Sequence, residues 1–216
     1  MPCVMSLVLI LLDFDGPLRR ILPLRISLYL KQARSLGFPE TIEKAEFVSY
    51  LFWQEFITFF PFLGALRRSR SARDLVPDTF PAIQELRDMG FLLGIVTNRK
   101  AGILERHMHR LGILKHWFKI IVNGRGRQRD SKTELFHTAL EQTRLAEKPQ
   151  QALFVTDTIQ HYREAIALGM QAIVVCTGEL NASDFNKLGV PEADIFESLR
   201  AFSLYAKEQL GGRKDE

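Results

Sequence analysis

Three carboxylates and one ammonium set the chemistry this sequence can attempt: Asp13 and Asp15, one residue apart, then Lys132 and Asp157. The aspartates follow apolar runs. Asp13 and Asp15 close SLVLILLDFDGPL, residues 6–18, where an unbroken stretch from Leu7 to Leu12 ends abruptly, and Thr156 and Asp157 follow QALFV. Thr97 and Asn98 close FLLGIVTN, and Lys132 begins a helical pattern. If extension persists to Asp15, alternation puts both carboxylates of the first pair on one side of the strand end. Two such groups repel, which predicts that one proton or a cation resolves them. Hard oxygen ligands suit a magnesium ion, which takes one or two carboxylates and substrate phosphate oxygens. A lysine, a hydroxyl and backbone N–H groups complete what a phosphoryl group in transfer needs.

The elements that must position these groups follow from the hydrophobic pattern. Short apolar runs bounded by turn formers read as strands buried on both faces, here 7–12, 91–98, 118–122, 151–156 and 171–176. Between and after them, 77–89, 100–111, 133–146, 160–168 and 196–210 have helical spacing. Strands alternating with helices predict a parallel sheet, and polar residues at the carboxyl ends of its strands face one crevice. The expected fold is therefore α/β, a Rossmann-like parallel sheet core with helices on both faces.

From residue 18 to residue 74 the pattern changes. Two helical stretches follow, the second crowded with Phe47, Tyr50, Phe52, Trp53, Phe56, Phe59, Phe60 and Phe62. A helix apolar around most of its circumference needs covering, as in a small helical domain. Gln54, Glu55 and Pro61 disfavour a membrane span there. Arg67, Arg68, Arg70 and Arg73 read as a solvated basic hinge. The division expected is a core of 1–17 and 75–216 with a small helical cap domain, 18–74, inserted after the first strand and placed to close over the aspartates.

Composition narrows the partners. A chain of 216 residues that is 46% hydrophobic and 25% charged is an ordinary globular one. Its net charge of +4 is too mild to argue for nucleic acid without a concentrated basic face. Cys3 and Cys176 suggest no disulfide framework, and the first apolar run stops well short of the roughly 20 residues that span a bilayer. A cytoplasmic protein is expected, monomer or homodimer, with no nucleic-acid or membrane partner. Two look-alike motifs fail: Pro17 and the absence of EF-hand spacing exclude a calcium loop, and Ser131 stands where a nucleotide-binding P-loop needs glycine before its lysine. His107 and His109 face different directions on a helix and make poor joint ligands.

From Val8 to about Val175 the sequence resembles the haloacid dehalogenase superfamily of phosphatases. DFDG at 13–16 is similar to that family's first motif, VTN at 96–98 to its second, Lys132 in DSKTELF to its third, and FVTDTIQHYREAIALGM at 154–170 to its fourth. The resemblance implies a helical cap at the insertion and a magnesium-dependent phosphomonoester hydrolase acting on a small phosphorylated metabolite. Asp13 would be the nucleophile and become an aspartyl phosphate; Asp15 would be the general acid, then the base. Thr97, the Asn98 backbone and Lys132 would bind the phosphoryl group. Magnesium would lie between Asp13, the main-chain carbonyl of Asp15 and the carboxylate of Asp157.

Pro17, Thr133 and Thr156 depart from the family's usual residues, and His161 stands where it normally has a further aspartate supporting the metal. A neutral imidazole brings no negative charge, so weaker metal binding is expected. Two alternatives stay open: a catalytically weak binding or regulatory protein with the same fold, and a sugar phosphomutase.

Overall fold

The structure is a computed structural model, which describes residues 7–19, 75–124, 132–178 and 180–211. The cap expected over 18–74 falls, from residue 20 onward, outside the described residues, as do the basic hinge, the arginine loop 125–131 and the tail after 211. Among the described residues six strands form one sheet: β1 (Leu9–Leu12), β2 (Leu92–Lys100), β3 (Ile120–Gly124), β4 (Ala152–Thr156), β5 (Gln171–Val175) and β6 (Ile195–Phe196). Their order is β3-β2-β1-β4-β5-β6, and every neighbouring pair is parallel. The helices are α1 (Thr79–Asp88), α2 (Ala101–Leu111), α3 (Lys132–Gln142), α4 (Ile159–Ala167), α5 (Ala182–Lys187) and α6 (Leu199–Gly211). The α/β sheet core with helices on both faces is as the pattern predicts.

Two elements carry no sequence expectation, and each is too short for periodicity to register. β6 is two residues long and continues the sheet beyond β5 through Val174 and Val175. α5 is six residues long and is set by a capping box between Asn181 and Asp184 rather than by an apolar stripe.

Burial on both faces explains the unbroken apolar runs. Leu9 and Leu11 of β1 pack with α3 and α4 through Leu135, Phe136, Ile159 and Ala165. Ile10 and Leu12 pack on the opposite side with α1, α2 and α6 through Ile83, Leu86, Leu104, Met108 and Phe202. This alternation fixes what lies beyond the strand. Asp13 continues the Leu9 and Leu11 side, toward α3 and α4; Phe14 continues the other side and is fully buried there. The Asp13 N–H still donates to the Val155 carbonyl at 2.9 Å, so β1 holds its register up to the first aspartate.

Candidate active site

Asp13 sits at the centre of the sheet with 6% of its surface exposed. Its Oδ1 accepts the Phe14 N–H at 2.9 Å. Its Oδ2 meets the Lys132 Nζ at 3.1 Å and the His161 Nδ1 at 3.0 Å. Lys132 is the first residue of α3 and His161 the third of α4, the two helices on the face to which Asp13 points. The ammonium also donates to the Val96 carbonyl at 2.8 Å and lies 5.4 Å from the centre of the Phe154 ring. Lys132 is thus held from three sides and presented to one carboxylate. Burial pushes the Asp13 carboxyl up, but Lys132 and His161 together outweigh burial and hold it below the usual aspartate range. An ionised carboxylate only accepts, so His161 donates through Nδ1.

Asp15 is arranged differently from the sequence expectation. The regular strand ends at Leu12, and the chain turns through residues 16–18 back into an isolated bridge between Asp15 and Arg19. The two carboxylates thus pair with different side chains, Asp13 with Lys132 and His161 and Asp15 with two arginines. Arg99 forks onto the Asp15 carboxylate, Nε to Oδ2 at 2.6 Å and Nη2 to Oδ1 at 2.9 Å, and Arg19 adds Nη1 to Oδ1 at 2.9 Å. The carboxyl with the raised pKa is instead Asp157. Burial, then the charges of Asp13 and Asp15, hold it well above the usual range, opposed by a hydrogen bond from the Thr158 hydroxyl at 3.2 Å.

Two glycines make room for Asp157. A Cβ on Gly16 would lie 2.1 Å from the Asp157 Cγ, and one on Gly178 would lie 2.2 Å from its Oδ2. Gly16 also has φ +95°, which suits glycine alone at low cost. The Thr177 hydroxyl, just past β5, donates to the Gly16 carbonyl at 2.9 Å and ties the turn to the sheet.

Thr97 is buried at the carboxyl end of β2, and its hydroxyl oxygen accepts the Arg99 N–H at 3.3 Å. Asn98 is exposed at the irregularity where the β2–β3 register shifts between Thr97 and Lys100. The regular pairing of β2 with β3 is thus interrupted past Thr97, one residue beyond Val96, whose carbonyl holds Lys132. Of the six residues singled out, Asp13, Lys132 and Asp157 are drawn together in the buried floor, Thr97 and Asn98 flank them on β2, and Asp15 is at the rim.

Arg99, which sequence reasoning missed, stands two residues after Thr97 at the same strand end, the signal that could have marked it. Arg19, four residues past Asp15, is the second cation at the rim. His107, whose ring centre lies 6.4 Å from that of Phe14, is pushed toward its neutral form by burial and by Arg99 and Arg19.

Among the described residues no three histidine, cysteine or acidic side chains converge on a ready metal cage. A magnesium ion asks for less, one or two carboxylates completed by carbonyl, water and phosphate oxygens. The donors at hand fit it: Asp157 is buried against the charge of Asp13, which a divalent cation relieves.

A sequence model of the haloacid dehalogenase-like hydrolases matches residues 63–175, over half of the chain. A glyceraldehyde 3-phosphate phosphatase of Methanopyrus kandleri is 30% identical over 121 residues, 55% of this chain and 51% of that protein. The match thus spans about half the length of that relative. A haloacid dehalogenase-like hydrolase of Streptococcus pneumoniae superposes with a TM-score of 0.62 at 20% identity, covering 93% of this chain and 99% of that one. A candidate beta-phosphoglucomutase of Bacteroides vulgatus superposes with a TM-score of 0.66 at 18% identity, covering 96% and 90%. At those identities the two structures share the fold.

Proposed function

This chain belongs to the haloacid dehalogenase-like hydrolases, and from that premise we propose that it is a phosphatase that hydrolyses a small phosphomonoester through Asp13. The observation that carries the reading is the buried Asp13 carboxylate, held ionised by Lys132 and presented at the carboxyl end of the central strand. An oxygen of Asp13 attacks phosphorus, the bond to the leaving oxygen breaks, and that oxygen takes a proton from Asp15, which has picked one up from solvent on leaving its guanidinium partners. Water then attacks the aspartyl phosphate, giving its proton to Asp15 as the bond to Asp13 breaks, which frees inorganic phosphate, restores the Asp13 carboxylate and leaves Asp15 protonated for the next cycle. Lys132, the Thr97 hydroxyl and the Asn98 backbone bind the phosphoryl oxygens. Magnesium held by Asp13, Asp157 and the Asp15 carbonyl would offset the charge that collects between carboxylates and phosphate. Asp15 can act on a proton only after leaving its guanidinium partners, so substrate entry must rearrange the rim.

Phosphate release from an aryl phosphate, with and without magnesium, tests the reading beside Asp13→Asn. We expect magnesium-dependent release that falls on the order of ten-thousandfold in the variant. Activity that survives the substitution would sink the assignment of Asp13. One observation favours the weak or regulatory alternative: His161 already occupies an oxygen of Asp13. No release from either protein across a panel of phosphorylated metabolites would select it.

A further inference from the structure

Arg99 and Arg19 are the charged groups of the site to which the proposed chemistry gives no task. Arg99 meets both Asp15 oxygens side by side, at 2.6 and 2.9 Å, and Arg19 reaches one of them at 2.9 Å. This fork is how a guanidinium takes a free carboxylate. Both arginines stand at the carboxyl end of the sheet, one two residues past Thr97 and the other four past Asp15, beside the place where a leaving group would lie. Among the described residues, one ammonium faces one ionised aspartate in the floor, whereas two guanidinium groups share a single carboxylate at the rim. The rim is also open to exchange: the side chains of Asp15 and Arg99 are each 25% exposed and that of Arg19 is 12% exposed.

We propose that Arg99 and Arg19 form a carboxylate clamp, and that the substrate is a phosphomonoester whose leaving group bears a carboxylate. The inference rests on the phosphatase reading of the same site. Asp15 occupies the clamp as an internal stand-in. The substrate's carboxylate takes the two guanidinium groups, and Asp15, displaced, turns to the leaving oxygen beside it. Binding of the acid group and release of the proton-carrying side chain are thus one event. A carboxylate reproduces the two coplanar oxygens that the clamp already holds.

A matched pair tests the clamp: 3-phosphoglycerate and glycerol 3-phosphate, which differ in a carboxylate against a hydroxymethyl group. The wild-type kcat/KM should favour 3-phosphoglycerate by about tenfold or more. Arg99→Gln should bring that ratio close to one, Arg99→Lys, which keeps the charge and loses the fork, should leave it between, and Arg19→Gln should lower it independently. A wild-type ratio within about threefold of one, or an Arg99→Gln ratio equal to the wild-type ratio, overturns the clamp. If neither ester is hydrolysed, the clamp is decided by calorimetric binding of the same pair to the wild-type protein, while the phosphatase reading stands or falls on the aryl phosphate and the metabolite panel. Tighter 3-phosphoglycerate binding that Arg99→Gln abolishes sustains it, and equal binding of the two overturns it.

Discussion

The floor and the rim of the site both join a carboxylate to cations, yet they are built to opposite ends. In the floor, Asp13 and Lys132 are buried with a partly exposed His161 beside them, and the three come from the central strand and from two helices whose apolar faces are locked into the core. At the rim, Asp15, Arg19 and Arg99 are partly solvated and hang from a turn and from an irregular strand end. Buried charges are expensive to leave unpaired, so the floor is preorganised and its geometry is not negotiable. The rim pairs are partly open to solvent and hold one another less firmly, so on the proposed mechanism Asp15 can change partners. On the proposed reading, the nucleophile stands at the end of the central strand and the proton carrier on a turn.

Lys132→Met breaks the floor most severely. It strips a buried carboxylate of its ammonium, and we expect a loss of about 3–5 kcal/mol in urea unfolding. Asp15→Asn examines the rim, where the expectation reverses. Stability should change by about 1 kcal/mol or less, while kcat falls about a hundredfold in phosphate-release assays. His161→Asp sharpens the floor's own contrast by exchanging a donor to Asp13 for a second negative charge. Magnesium should bind about tenfold more tightly by calorimetry, and no change would place residue 161 outside the metal's surroundings.

The gentlest contrast is a pH dependence in magnesium-free protein. The folded Asp157 carboxyl is raised above the ordinary 3.8, so its contribution to stability is complete below 3.8 and fades as pH climbs through the raised value. Asp13 is lowered, so its contribution is present above 3.8 and lost as pH falls through its folded value. Urea midpoints measured from pH 4 to pH 8 should show a downward trend from Asp157 that Asp157→Asn flattens. An unchanged slope would show that Asp157 does not titrate as its surroundings require.

Strands were legible wherever both faces are buried, because Leu9 to Leu12 and Ala152 to Thr156 leave no polar alternation to misread. The helices were legible from their stripes, with ends shifted by a few residues. The floor was legible too, since Asp13, Lys132 and Asp157 each sit where an apolar run meets a turn or a helix start. The rim was not. Whether Asp15 follows Asp13 to the same side depends on where extension stops, and that is decided by the turn at Gly16 and its bond from Thr177. Arg99 reads in the sequence as one of many surface cations; only the bend at the end of β2 aims it at a residue 84 positions away. His161 was read as a lost charge near the metal, and its contact with Asp13 depends on helix phase and side-chain rotamer, which no spacing rule specifies.

The placing of β1 in the middle of the sheet has a consequence for synthesis. Leu9 pairs on one edge with Leu92 and on the other with Ala152, so β1 leaves the ribosome well before either of its partners is made. Until then an apolar segment with two open edges, and the aspartate it carries, stay unprotected. Asp13 is thus made before both strands that flank it and is set in place only once β4 is complete. Slower translation lengthens that wait, so recovery of soluble protein should depend on how fast the stretch up to β4 is completed and on which chaperone holds β1 meanwhile.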